Sequence, residues 1–330
     1  MGKFLENEKI RQADFKKTSS YFADNARING VYKGKPRLFC LPIEYAEENL
    51  FYEIREGALK YFDDYKIKWH DSSKKLKLKL SNHLCDSQIC CVNFLFPLAK
   101  KPDLLADLFR PLYPKLQEMI TIENNQYVVF EWIGLENYLN ETVRKNGKRT
   151  RGAYFTSADA ALMFRRIDGK QQMVLIEWKY AESYHRENKK YSKYDTDRTK
   201  IYRPFYEKSD CPLNKNILPS FDDLFYEPFY QFMRQQFLAR EMEKAGELEN
   251  NFVSVLHIAP EHNRDFQRIT SPELSGLGKT AIDVWKRLVL KEGSFISTNT
   301  EKLFNNLLKN NPPGLRSWSD YINERYFWIH

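Results

Sequence analysis

Glycine and proline are scarce in this chain, with 13 and 14 among 330 residues. Both residues punctuate loops, so long flexible or proline-stiffened linkers are excluded. Cysteine is scarcer still. Cys40, Cys85, Cys90, Cys91 and Cys211 form an odd set with no repeated spacing, which argues against a disulfide framework and for reduced thiols in a cytosol. His83 lies near three of them, but no paired C-x-x-C knuckle is present, so buried thiols are expected there rather than zinc. No apolar run approaches the ~20 residues of a membrane helix. The opening stretch MGKFLENEKIRQADFKK has no apolar signal segment. Repeats at solenoid periods are also missing. A cytoplasmic protein with no membrane partner is expected.

What is present fits a folded α/β chain. Hydrophobic residues make up 42% and charged residues 29%, too apolar for disorder. The length allows two domains or one elaborated domain. Lys and Arg number 52 against 44 Asp and Glu, a net charge of +8 and a pI near 9.0. A positive field attracts polyanions, nucleic acid first among them.

Along the chain, residues 45–65 read as helical, and Lys75–Leu80 alternates Lys and Leu at the period of a strand. Residues 87–120 read as helix broken by Pro97, Pro102, Pro111 and Pro114. A short strand is expected at Tyr127–Phe130 and a helix over Glu131–Val143. The loop RKNGKRTRG follows, with Arg144, Lys145, Lys148, Arg149 and Arg151 placed either to meet phosphates or simply to face solvent. Further on come a helix over Phe221–Ala245 ending at Gly246, which Pro228 either kinks or opens as its true first turn, a strand at Asn251–Ala259, and helices at Glu301–Lys309 and Leu315–Tyr326.

The stretches AYFTSADAALMFRR and QQMVLIEWKYAESY read as two strands joined at IDGK. MVLI is continuously apolar, as in an interior strand, and then Glu177 and Lys179 appear on one face of it. A carboxylate and an ammonium placed there must be paired, hydrated or metal-bound. A two-residue Asp168-Gly169 turn would put Asp159 opposite residue 178, on the wrong face. A three-residue loop Ile167-Asp168-Gly169, with glycine in the left-handed conformation, puts Asp159 opposite Glu177. On that register Asp159, Glu177 and Lys179 share a face. Two carboxylates side by side call for a cation, and hard oxygen ligands suit Mg2+, with Mn2+ able to substitute. The chemistry implied is phosphodiester hydrolysis, with the lysine holding or helping to deprotonate water. A structural ion pair is the competing reading of Glu177 and Lys179.

Residues 149–184, together with VVFEWIGLENYLNE and EPFYQFMRQQFLAREME, resemble a bacterial family of PD-(D/E)XK nuclease-like proteins described as restriction endonucleases. The resemblance covers most of residues 82–263 and rests on the T-S-x-D-A and I-E-W-K-Y blocks together. It implies a restriction-endonuclease-like core, a mixed sheet flanked by helices, over 121–263. A mainly helical extension over 1–120 and a helical elaboration over 264–330 complete the expected organisation. It implies an Mg2+-dependent endonuclease acting on double-stranded DNA, in restriction or defence. Asp159, Glu177 and Lys179 match the motif, with Ala158 where the superfamily name has proline. A further glutamate of the site falls on Glu131, with Glu136 and Glu141 as competitors, and Asn140 stands where glycine is expected. Metal ligands are then Asp159, Glu177 and Glu131. Gln231 is similar to an accessory polar residue of some branches, and Gln235 shares its helix face. Arg149, Arg151, Lys148, Arg234 and Gln235 are the expected nucleic-acid contacts. Ser87 and Gln88 match another family block without a physical role. An RNA- or structure-selective nuclease, or a non-catalytic binding module on the same fold, are the competing functions. Two-fold dimers are common among enzymes that cut both strands, so a homodimer belongs among the expectations.

Overall fold

The computed structural model describes residues 2–141, 149–192 and 196–330. Its N-terminal part contains α1 (Lys3–Thr18), a small hairpin of β1 (Gly30–Tyr32) and β2 (Lys35–Arg37), then α2 (Tyr52–Asp64), α3 (Ser87–Leu95) and α4 (Pro102–Phe109). Four strands follow: β3 (Leu116–Ile120), β4 (Val128–Trp132), β5 (Ala158–Arg166) and β6 (Gln171–Trp178). The rest comprises α5 (Thr199–Glu207), α6 (Phe229–Ala245), β7 (Phe252–Ala259), α7 (Ala281–Leu288), β8 (Phe295–Asn299), α8 (Thr300–Asn310) and α9 (Arg316–Arg325).

Strands β3 to β8 form one mixed six-stranded sheet in the order β3-β5-β6-β7-β8, with β4 paired along another stretch of the β5 edge. The pairs of β5 with β3, β4 and β6 are antiparallel, and β6-β7-β8 run parallel. Helices cover both faces, giving the α/β restriction-endonuclease-like architecture expected. The sheet gathers its strands widely, since β3 ends at Ile120 and β8 begins at Phe295.

Period-two alternation sorts β6 between the two faces. Val174, Ile176 and Trp178 point into an apolar cluster shared with α3, α8 and α9, where the Trp178 ring meets Phe94 and Phe304. Met173 and Leu175 point the other way, against Phe232, Met233 and Phe237 of α6 and Trp285 of α7. Each large side chain buried this way stabilises the fold by about 2 kcal/mol. The next two positions on the α6 face are Glu177 and Lys179, so the site sits where that face stops being apolar.

The sequence reading is corrected at several places: β3 is a strand inside residues 87–120, read as broken helix, β8 brings a sheet strand from 264–330, read as helical, and the helix read from Phe221 starts at Phe229. Lys75–Leu80 forms no strand; the chain turns back on itself there, with Ser73 bridging Leu78 and Lys77 at φ +52°. A strand requires a partner edge, and none is offered. Glu131–Val143 is no helix through its described part: Glu131 lies within β4, and residues 133–141 are irregular. Among the described residues no helix is long and apolar enough to cross a membrane.

Candidate active site

The β5–β6 loop has the expected three-residue form. Arg166 N–H donates to Lys170 O at 2.8 Å, Gly169 N–H donates to Arg166 O, and Gly169 takes φ +75°. The ladder pairs Arg165 with Gln171 and runs to Ala160 opposite Ile176, so its next step sets Asp159 against Glu177. Beyond β6, the Lys179 N–H donates to Ile258 O at 2.8 Å, which keeps Lys179 in sheet geometry on the Glu177 side.

These three side chains meet. Lys179 Nζ lies 2.6 Å from Glu177 Oε1. Asp159 Oδ2 accepts the Trp178 backbone N–H at 2.7 Å, while its other oxygen has no protein partner among the described residues. All three line one cavity of about 1070 Å³. Burial and the neighbouring Glu177 carboxylate push the Asp159 pKa well above the ordinary carboxylate range, against the pull of Lys179. Burial alone would lower the Lys179 pKa, but the carboxylates around it, Glu177 first, hold it as ammonium.

Helix α6 supplies the roof. Gln235 and Gln231 are one turn apart on it. Gln235 Nε2 donates to Glu177 Oε2 at 3.0 Å and to Ser157 O at 2.6 Å. Gln231 Oε1 accepts from the Tyr184 hydroxyl at 2.9 Å. Arg234 Nε donates to Thr156 Oγ1 at 2.9 Å, and its guanidinium lies 3.8 Å from Glu141. The helix ends at Gly246 in the left-handed conformation expected of a C-cap.

Of the candidate glutamates, Glu131 reaches the cavity from β4, not from a helix. Gln88 Nε2 donates to its Oε1 at 2.6 Å and the Ser157 hydroxyl donates to its Oε2. Burial raises its pKa. Its backbone takes φ +51°, a left-handed conformation that costs a non-glycine residue about 1 kcal/mol or more. Glu141 also lines the cavity, but its carboxylate is taken up by the Thr156 N–H and hydroxyl and by the Tyr202 hydroxyl. Glu136 is exposed and does not line the cavity. Asn140 takes the left-handed φ of +52° expected where glycine stands in the pattern.

The basic loop divides. Arg144, Lys145 and Lys148 lie outside the described residues. Arg149 donates to the carbonyls of Ile133, Gly134 and Leu135. Arg151 donates to Phe130 O and Glu131 O, to Tyr61 Oη, and to Glu123 Oε1 at 2.7 Å. Both guanidinium groups therefore hold the backbone around Glu131 in its left-handed turn. Their position in a run of cations had given no sign of that inward use.

Three residues with clear places in the site were given no role by sequence reasoning. Ser157 links Glu131 to Gln235, and the T-S-x-D-A block was the signal for it. Gln88, in the first turn of α3, reaches Glu131. His70 lines the same cavity from the loop after α2, with no sequence signal. The thiols are all free and buried, and His83 Nδ1 accepts the Cys85 N–H at 3.0 Å.

Among the described residues no three His, Cys, Asp or Glu side chains converge closely enough to cage a metal by themselves. Asp159 is half-buried and Glu177 buried, and both carboxylates border the cavity. Two carboxylates with open positions suit Mg2+, which keeps several of its waters.

A family model described as Restriction Endonuclease associating with ARP matches residues 9–327, nearly the whole chain. No curated protein and no solved structure matches it.

Proposed function

This chain belongs to the family of restriction endonucleases associating with ARP, and from that membership we propose that it hydrolyses phosphodiester bonds of double-stranded DNA with a divalent metal, Mg2+ or Mn2+. The observation that carries the reading is the meeting of Asp159, Glu177 and Lys179 on one face of the sheet, at the wall of one cavity.

The donor set fits a hard cation. Asp159 keeps one oxygen free of protein partners, and its proximity to Glu177 is repulsive until positive charge arrives. Glu177 accepts from Lys179 and Gln235, yet a carboxylate has about four lone-pair positions, so it can also serve an ion. Asp159 and Glu177 are the ligands proposed here. Glu131 faces them across Ser157, and its own oxygens are engaged by Gln88 and Ser157. When bound, such an ion polarises a phosphate oxygen and acidifies a water.

The chain's own groups do the remaining work. Lys179 is held as ammonium by Glu177, so it donates to the attacking water or to a phosphate oxygen and offsets negative charge as the phosphorus adds a fifth oxygen. Gln235 fixes the Glu177 carboxylate so that its free lone pairs face the cavity. Arg234 stands beside the opening as the phosphate contact on α6.

The test is cleavage of plasmid DNA with Mg2+ or Mn2+, with and without chelator, by the full chain and by Asp159→Ala. Nicking or linearisation that requires the ion and falls about 1000-fold in the variant is expected. Equal cleavage by Asp159→Ala overturns the reading. Tight DNA binding with no cleavage under any divalent ion makes the chain a binding module. Cleavage of RNA alone moves the substrate and keeps the site.

A further inference from the structure

A second ionisable group reaches the same cavity from the N-terminal part of the chain. His70 sits in the loop after α2, and it is held at two points, one on the ring and one on the backbone. Nδ1 lies 3.3 Å from Asp86 Oδ2. Asp86 is itself fixed, because its other oxygen caps α3 by accepting the Ile89 N–H at 2.9 Å. The His70 backbone N–H donates to Gln88 Oε1 at 2.7 Å. The Gln88 amide nitrogen spans to Lys68 O at 3.2 Å and to Glu131 Oε1 at 2.6 Å. One glutamine thus ties the histidine's backbone to the carboxylate wall of the site.

The other ring nitrogen has no protein partner among the described residues. The His70 side chain retains 40% of its exposure while Asp86 retains 9%. A buried carboxylate behind an imidazole that lines a cavity is an orienting arrangement: it sets the ring plane and keeps a proton on Nδ1.

We infer that His70 is a catalytic residue of this site, an imidazolium whose Nε2–H donates to an oxygen of the bound phosphodiester, with Asp86 and Gln88 as its positioning residues. The inference rests on the nuclease reading and deepens it.

Charge supports the assignment. A phosphodiester entering here meets Glu131, Asp159, Glu177 and Glu182 on the walls. Lys179 and Arg234 reach the cavity too, but each also holds protein acceptors, Glu177 for the one and Thr156 and Glu141 for the other. His70 adds a donor on the cavity lining whose Nε2 has no protein acceptor among the described residues. Burial would strip its proton, but the Asp86 carboxylate, then Glu131 and Asp159, raise its pKa to about 9. At neutral pH it is therefore a donor and not a base for the attacking water.

The experiment uses the full chain with His70→Ala, His70→Gln and Asp86→Asn. Single-turnover cleavage, KM for a DNA duplex and thermal unfolding are measured for each. In His70→Ala, kcat falls about 100-fold, the scale of one transition-state donor, while KM stays within about three-fold. His70→Gln retains more, because an amide still donates. Asp86→Asn loses about ten-fold. Free imidazole restores part of the rate to His70→Ala and none to Asp159→Ala, a response that a structural role does not give. Separately, in the wild type with Ca2+ in place of Mg2+, added duplex shifts the His70 Cε1–H resonance.

Wild-type cleavage matched by a folded His70→Ala overturns the inference and leaves the nuclease reading intact. So does an unmoved His70 resonance on a duplex that binds. A wild type that neither cuts nor binds nucleic acid removes both.

Discussion

Lys179 Nζ stands 2.6 Å from Glu177 Oε1, and only 6% and 5% of the two side chains remain exposed. Removing one member of such a pair leaves the other charged and desolvated. Lys179→Met is therefore expected to lower stability by about 3 kcal/mol or more. Glu177→Gln combined with Lys179→Met should recover most of that loss, because no net charge stays behind. Urea unfolding of the single and double variants checks this. A single variant within about 0.5 kcal/mol of wild type means the pair is not coupled as the geometry implies. All of these variants are expected to lack nuclease activity.

Asp159 gives a prediction of opposite sign. Burial and Glu177 raise its pKa in the folded state above the unfolded value of about 4. A raised carboxylate contributes stability fully only below that unfolded value, and the contribution disappears as pH rises through the folded pKa. Metal-free wild type should thus lose ground to Asp159→Asn as pH rises from about 4 toward neutrality. At neutral pH the variant melts higher, by on the order of 3 °C. Saturating Mg2+ reverses the order, since it stabilises the wild type and has lost a ligand in the variant. Thermal melts across pH, with and without the ion, read both effects, and a pH-independent gap would count against Asp159 as the strained group.

The centre of this site was legible because its rule is local. Glycine after Ile167-Asp168 selects a three-residue loop, the loop sets the register, and the register places Asp159 beside Glu177. What failed to be legible depends on distant contacts. The Lys/Leu alternation of Lys75–Leu80 lacks a neighbouring edge, so the chain closes a turn between Ser73 and Leu78 instead. Apolar spacing after Glu131 mimics a helix, yet carbonyl clamps from Arg149 and Arg151 hold that backbone irregular. His70 acquires its setting from Asp86 and Gln88, partners 16 and 18 residues away across a loop and a helix start. No window of periodicity spans such a separation.

Arg151 separates a structural cation from a phosphate contact. Its side chain is 10% exposed and it pairs with Glu123 at 2.7 Å while bracing Phe130 and Glu131. Arg151→Ala is expected to cost about 1–3 kcal/mol, because the half-buried Glu123 keeps only the Tyr61 hydroxyl and the carbonyls of Phe130 and Glu131 lose their donor. It should leave the slope of log affinity against log salt for duplex DNA unchanged. Arg234→Ala, by contrast, is expected to flatten that slope by about one. If Arg151→Ala changes the slope by as much and costs no stability, its guanidinium is on the nucleic acid and the inward geometry is not the working one.

Gln235 ties the roof of the cavity to its floor. Its amide nitrogen serves Glu177 Oε2 and Ser157 O together, and Ser157 in turn donates to Glu131. Its own Oε1 is buried with no partner. An unpaired acceptor there carries a desolvation cost, which a donor from bound substrate or water would relieve. Gln235→Leu keeps the shape but strands the Ser157 carbonyl and frees the Glu177 carboxylate to turn. Stability should fall by about 1–2 kcal/mol. Cleavage should fall further than that loss accounts for, about 10- to 100-fold, because ligands held by a supporting hydrogen bond lose their orientation without it. Gln235→Glu separates the two roles: it retains the side-chain length and places a second carboxylate against Glu177. That variant is expected to be the less active of the two without metal saturation and to recover partly at high Mn2+, since repulsion between carboxylates is what an added cation relieves. Single-turnover rates across a Mn2+ titration decide it. Equal rates for Leu, Glu and wild type at every concentration would show that the roof of the cavity does not set the geometry of Glu177.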